Sequence, residues 1–254
     1  MFIASHQRLP GPPRGMRDIL ALSSLWLVTA CAARGPLLPE RPMVLPQPQS
    51  SAIAVVRVAS PWWAPNFLIT GRFVDSIPQY AAAPGLRHKA YTFTEPRQFG
   101  GVYLWESREA AQRWFDQAWH ERVRRQRGVD GDVRILDAKY TVDGDAQPSG
   151  RALPHHGLKT DAVVTWLSSK EPRPSPSFDE LAKVVPLADG LMRVSFVTEP
   201  DGRAGLVSLW TSADAAKAYW TEPRRAAVEA LLGPNEVLWF DAPVLLDVAA
   251  ETKP

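Results

Sequence analysis

The sequence predicts an α+β fold in which two βαββαβ units stand in tandem. Three observations carry that expectation: a globular composition, an internal repeat in fixed register, and the order of elements inside each copy. The chain has 254 residues, 45% hydrophobic and 22% charged, enough apolar side chain for a substantial core. The formal net charge of +2 gives no reason to invoke nucleic acid or a strongly acidic partner. Ten Trp and one Cys complete the composition. The tryptophans read as core aromatics, or in part as the walls of a site. A lone cysteine excludes an intramolecular disulfide and a Cys-rich zinc site.

The repeat is the strongest signal. Gly100-Gly101-Val102-Tyr103-Leu104-Trp105-Glu106-Ser107-Arg108-Glu109-Ala110-Ala111 returns 105 residues on as Gly205-Leu206-Val207-Ser208-Leu209-Trp210-Thr211-Ser212-Ala213-Asp214-Ala215-Ala216. The same offset matches Phe73 with Phe178, Gly85-Leu86 with Gly190-Leu191, Tyr91 with Phe196, and Trp114-Phe115 with Tyr219-Trp220. After a one-residue slip, Val133 to Ala138 matches Val237 to Ala242. A fixed period of this length marks a structural unit used twice.

Within the first copy, Ala52 to Ala59 is β-branched and reads as a strand, and Phe67 to Ala83 as a helix containing Pro78. Pro84-Gly85 is a turn. Leu86 to Thr94 and Phe99 to Glu106 read as strands, the second apolar on both faces and so central. Ser107 caps a helix whose stripe runs through Ala110, Ala111, Trp114, Phe115, Ala118, Trp119 and Val123 as one element. Arg122, Arg124, Arg125 and Arg127 suit its C-terminal end, Gly128 stops it, and Val133 to Val142 is the last strand. The second copy repeats the order from Thr160 to Val248, with a helix break expected at Pro223. This β-α-β-β-α-β order is the ferredoxin-like pattern. Such a sheet has helices on one face only, and its bare face must be covered. Two copies in one chain can cover each other, which predicts a barrel-like pseudo-dimer inside a monomer.

Residues 19–33 form an uncharged apolar run after Met16 and Arg17, too short for a membrane span and suited to an export signal, with Met1 and Met16 both open as the start. Val28-Thr29-Ala30-Cys31 resembles a bacterial lipobox, in which the cysteine, here Cys31, carries lipid. The expected organisation is a signal peptide over 1–31, a Pro-rich tether over 32–51, unit 1 over 52–143, a linker over 144–159, unit 2 over 160–249 and a tail over 250–254. The expected location is the periplasmic face of a bacterial envelope, held by lipid, the alternative being a soluble periplasmic protein.

The segment Gly100 to Ala111, followed by Trp114-Phe115 and Trp119 to Arg124 and preceded by Ala83-Pro84-Gly85-Leu86, is similar to the YdhR-type monooxygenase family of the dimeric α/β-barrel superfamily. The resemblance covers nearly all of Ile53 to Asp143, and the second copy is a more divergent version. It implies cofactor-free oxygenation of small electron-rich, quinone-forming aromatics. Haem enters only by analogy of fold, with His88 or His120 as the axial candidate. The family supplies no catalytic motif to lay onto this chain, and fold alone does not settle function.

The candidate ligand-binding residues are therefore His88, Tyr91, Tyr103, Trp105 and Trp210. His88 is a phenol-holding base or a surface histidine. Tyr103 and Trp105 share one strand face, where they stack on a ligand in the space between the sheets or form core. The exchange of Tyr103 for Ser208 makes the halves unequal, so at most one is active. Asp137 with Asp241 and Asp143 with Asp247 are matched carboxylates, acid/base candidates or strand-end residues. His155-His156 stands in the linker without further metal ligands in view, and His120 reads as exposed. No phosphate loop, nucleophile elbow or zinc-protease motif occurs, so no cofactor and no metal are expected. The alternative to an enzyme is a non-catalytic envelope protein that binds a small apolar molecule or a protein.

Overall fold

The computed structural model describes residues 40–153, 155, 157–172 and 177–248. The signal, the lipobox with Cys31, His156 and the tail lie outside them. The first copy runs β1 (Ser51–Ala59), α1 (Asn66–Ala81), β2 (Leu86–Thr94), β3 (Gln98–Trp105), α2 (Arg108–Trp114), α3 (Gln117–Arg127) and β4 (Asp132–Asp143). The second runs β5 (Gly157–Ser169), α4 (Phe178–Val184), β6 (Leu191–Thr198), β7 (Ala204–Trp210), α5 (Ala213–Tyr219), α6 (Glu222–Leu232) and β8 (Asn235–Asp247).

Strands pair in the order β7-β6-β4-β1-β3-β2-β8-β5, and β5 returns to β7, so eight antiparallel strands close a barrel. Each copy contributes a four-stranded sheet of ferredoxin-like order, β4-β1-β3-β2 and β8-β5-β7-β6. The seams are β4–β6 and β2–β8. Closure satisfies the edge groups that an open sheet would expose. The barrel interior is apolar, with Ile53, Val55, Val102, Leu104, Leu136, Val164, Val207, Leu209, Phe240 and Leu245 buried together from both copies. Each such aliphatic or Phe side chain contributes roughly 1.5–3 kcal/mol. The alternate residues of each strand face outward under helices.

The seams rest on two matched bulges. In β4 the register shifts between Ala138 and Tyr140, and in β8 between Ala242 and Val244. An extra residue turns the following side chains to the other face. Tyr140 and Val142 thereby pack under the helices of the second copy, and Val244 and Leu246 under those of the first. The one-residue slip in the repeat precedes this strand, between Gly128 and Val133 in the first copy, so the two bulges stay in register with each other.

Glycines recur where a side chain has no room. Gly85 and Gly190 turn with φ of +81° and +83°, and a Cβ would strike Ala110 in one copy and Ala215 in the other. A Cβ at Gly100 would lie 1.9 Å from the Val56 carbonyl oxygen, and one at Gly205 2.4 Å from that of Leu167.

Three expectations change. The single helix after Ser107 is two: Asp116 accepts from Trp119 N at 2.8 Å and starts α3 as Ser107 starts α2, while Ala118 is exposed. The tether is in part packed: Glu40–Arg41 pairs with Leu187–Ala188, Glu40 meets Arg224, and Met43 is buried in the second core. The linker is shorter than 144–159, because β5 begins at Gly157 and Arg151–Ala152 pairs with Lys159 and Leu158. The expected break at Pro223 is present, with Thr221 preceding α6.

Gly100→Ala is expected to lower unfolding stability in urea by several kcal/mol, as a clash against backbone does. Gly71→Ala, on exposed helix with nothing within 4 Å of the new Cβ, should raise it by about 0.5–1 kcal/mol.

Candidate functional site

Between the outer face of the first sheet and its helices lies a cavity of about 480 Å³. Its floor is Val56 and Val58 of β1, Lys89 and Tyr91 of β2, and Phe99, Gly100 and Tyr103 of β3. One wall is α1, with Ile69, Phe73, Ser76 and Tyr80, and the other is α3, with Trp119, Arg122, Val123 and Arg127. Val244 and Leu246 of the second copy support the same cluster. The cavity opens to solvent, and of its lining Trp63 is 64% and Leu68 49% exposed, with the exposed Trp62 and Phe67 beside them in sequence.

Lys89 is the chemically unusual group. It is buried at 2% exposure, directly across the sheet from Tyr103 in β3 and Leu246 in β8. Its Nζ stands 3.0 Å from the centroid of the Tyr80 ring, 3.6 Å from that of Tyr91 and 4.7 Å from that of Tyr103. No carboxylate pairs with it among the described residues, and none lines the cavity. Burial alone holds its pKa well below the usual lysine range. Burial also raises the tyrosines. Tyr103 is pushed well up by burial and then by its neighbours Tyr80 and Tyr91. Tyr80 rises by burial, opposed by hydrogen bonding with Tyr103 and by the Arg122 charge. Tyr91 rises by burial, opposed by Ser76, whose Oγ lies 3.3 Å from its hydroxyl. The cluster sets an amine of lowered basicity among neutral phenols, with no carboxylate beside it.

The second copy is its natural control. Lys89, Tyr91, Tyr103 and Tyr80 correspond to Val194, Phe196, Ser208 and Val185. Phe178, Phe196, Trp210, Tyr219 and Trp220 fill the equivalent space. Trp210 Nε1 donates to Ser208 Oγ at 2.9 Å, and Trp220 Nε1 to Thr165 Oγ1 at 3.1 Å. Among the described residues, the second half carries a packed core with hydrogen-bonded tryptophans at the place equivalent to the first-half cavity.

The sequence-selected residues separate accordingly. Tyr91 and Tyr103 meet at the cavity. Trp105 shares their face but packs farther along, against Trp114 at 5.9 Å and Phe115 at 6.0 Å, outside the cavity lining. Tyr103 and Trp105 face the helices rather than the space between the sheets, because Val102 and Leu104 take the interior. Trp210 lies in the filled half. His88 is on the opposite sheet face, at one end of the barrel interior beside Arg193 and Ser195. Burial, then the Arg193 charge, lowers its pKa to about 3. Asp137 pairs with Arg108 at 2.7 Å and Asp143 with Arg193 at 2.6 Å, the ordinary work of strand-end carboxylates. His120 stacks edge-on against Trp119 at the surface of α3. The residues that sequence reasoning missed are Lys89 and Tyr80. The signal was present in the repeat: a lysine in mid-strand aligned with a valine, on the face that carries Tyr91.

No protein-family model and no curated protein sequence matches the chain. Solved structures do. The chain is similar to a protein of Fusobacterium nucleatum subsp. nucleatum named "Putative monooxygenase", over 78% of this chain and 95% of that one, at 8% identity and a TM-score of 0.55. A protein of Lactobacillus acidophilus with the same name aligns over 79% and 97% at 8% identity and a TM-score of 0.49. A ferredoxin-fold protein of Listeria monocytogenes, described as related to antibiotic biosynthesis monooxygenases, aligns over 77% and 96% at 9% identity and a TM-score of 0.40. At 8% identity the likeness to the Fusobacterium protein is one of fold alone.

Two outcomes follow from the buried groups. Replacing Lys89 by Met should stabilise the protein at neutral pH by about 1 kcal/mol, because it removes a buried amine that has no carboxylate beside it. The native Lys89 pKa is depressed, so the unfolded chain binds the extra proton, and the advantage of Met should shrink as pH rises toward the unfolded lysine pKa of ~10.4. For His88, stability should be lost as pH falls from ~6.5 toward about 3, and His88→Gln should flatten urea midpoints across that window by up to ~1.4 kcal/mol per pH unit.

Proposed function

We propose that the chain is a cofactor-independent monooxygenase that oxidises a small electron-rich aromatic in the cavity of its first half. The observation that supports this best is the one-sidedness of the site: three phenols, an amine and open volume occur together in the first copy, where the second has Val185, Val194, Phe196 and Ser208 in or beside a packed core. The cavity volume lies within the range of small-molecule sites, and its walls are apolar with a few convergent polar groups. The ring faces of Phe73, Phe99 and Trp119 suit a flat substrate. The reaction balances as one hydroxyarene and one dioxygen giving one quinone and one water. The substrate gives up its hydroxyl hydrogen and its para hydrogen and gains one oxygen at the para carbon. The second oxygen leaves as water with those two hydrogens.

Oxygen uptake with a panel of hydroxynaphthalenes and other phenols with a free para position, in chelator-treated buffer, tests this. Uptake with one quinone formed per dioxygen is expected, reduced at least ten-fold by Val123→Phe, which fills the cavity, and unchanged by Trp210→Phe in the other half. No uptake across the panel would count against it.

A second reading is a non-catalytic envelope protein that holds an apolar ligand or a partner, favoured by the exposed Trp63 and Leu68 on the cavity lining and the exposed Trp62 and Phe67 next to them in sequence. Tight ligand binding without turnover would select it. In either reading we propose export and lipid attachment at Cys31. Metabolic labelling with a palmitate analogue should mark the chain, and Cys31→Ala should remove the mark.

A further inference from the structure

We propose that Lys89 is the proton acceptor of the cavity, so that its ligand is a hydroxyaromatic taken up neutral and held there as its phenolate against the Lys89 ammonium. This rests on reading the first-half cavity as a ligand site and adds to it the ionising residue and the chemical class of ligand.

Position carries the argument first. Lys89 is fixed in mid-strand, its Nζ faces the cavity floor, and Tyr80, Tyr91 and Tyr103 ring it. The sheet does not need a lysine here, since Val194 occupies the same place in the sister copy, where the space is filled. A desolvated amine kept without a counter-ion, where an aliphatic residue suffices for the fold, matches the pattern of functional lysines.

Charge then selects the ligand. The ionisable groups facing Lys89 are Tyr80 from α1, Tyr91 from its own strand and Tyr103 from β3, all held in their neutral form by burial. The charged groups lining the same cavity are Arg72 of α1 and Arg122 and Arg127 of α3, and no acid lines it. A bound anion would therefore be the first negative charge the site contains. A carboxylate would arrive already ionised, and Lys89 would have to draw a proton from solvent to meet it. A phenol enters an apolar cavity uncharged and brings the proton with it. Its O–H bond breaks, the proton goes to the Nζ lone pair, and the electron pair stays on the phenolate oxygen. The resulting ammonium is stabilised by the phenolate and by the three ring faces. The phenolate is the electron-rich form that reacts with dioxygen, so the same transfer prepares the oxidation.

The test is optical and needs no turnover. 4-Nitrophenol absorbs differently as phenol and phenolate, and it is titrated into the whole protein at a pH where the free probe is mostly neutral. The wild type is expected to bind it with the phenolate spectrum. Lys89→Met and Lys89→Val, which carry the side-chain character of the sister copy, should bind it at least ten-fold more weakly and with the neutral spectrum. 4-Nitroanisole, which has no proton to give, should bind all three proteins within about two-fold of one another. A neutral spectrum in the wild type, or equal losses for the phenol and its ether in the variants, would overturn the role of Lys89 and leave the cavity as a site. No binding of either probe to the wild type would overturn the proposal together with the reading of the cavity.

Discussion

The bare face of a four-stranded sheet is the constraint on which this structure depends. Helices cover only one side of each copy, and an apolar sheet face left in water would cost far more than a domain's net stability. Here the two bare faces form one barrel interior. The closure is made by long fourth strands that begin in their own sheet and, after a bulge, finish in the other. Each half thus lends side chains to the other half's outer core: Tyr140 lies against Phe178, and Val244 beside Tyr91. Neither half is complete alone, and the cavity of the first copy stands on a strand of the second.

Joining both copies in one chain removes the symmetry that two identical chains must keep. One copy can then be spent on packing. The second has done so, trading Tyr80, Lys89, Tyr91 and Tyr103 for Val185, Val194, Phe196 and Ser208, and its tryptophans donate to Thr165 and Ser208. The first keeps a space lined by an amine and three phenols at a cost in stability, the usual sign of a site retained for chemistry rather than for folding.

The architecture was legible because the sequence repeat writes it twice. Strand order and the Gly85 and Gly190 turns follow from local rules that the two copies confirm in each other, and the break before Pro223 follows from the proline alone. The break at Asp116 was not legible, because Ala118, Trp119 and Val123 continue a helical period across it and the cap is one side-chain bond. Glu40 to Leu45 reads as tether by its prolines, yet tertiary contacts to Arg224 and the second core fix it. The site was half legible. Tyr91 and Tyr103 follow from alternation, but a histidine drew attention to His88, whose side chain belongs to the barrel interior. Lys89, one residue on, faces the cavity. A one-residue step in a strand changes which chemistry a side chain can join.

The most direct measurement is native mass spectrometry of the chain from Ala32 onward with a saturating hydroxynaphthalene. A self-closed barrel with one retained site predicts a monomer carrying one ligand. An obligate dimer would mean that the two copies do not close on each other, and two ligands per monomer would mean that the second half has kept a site as well.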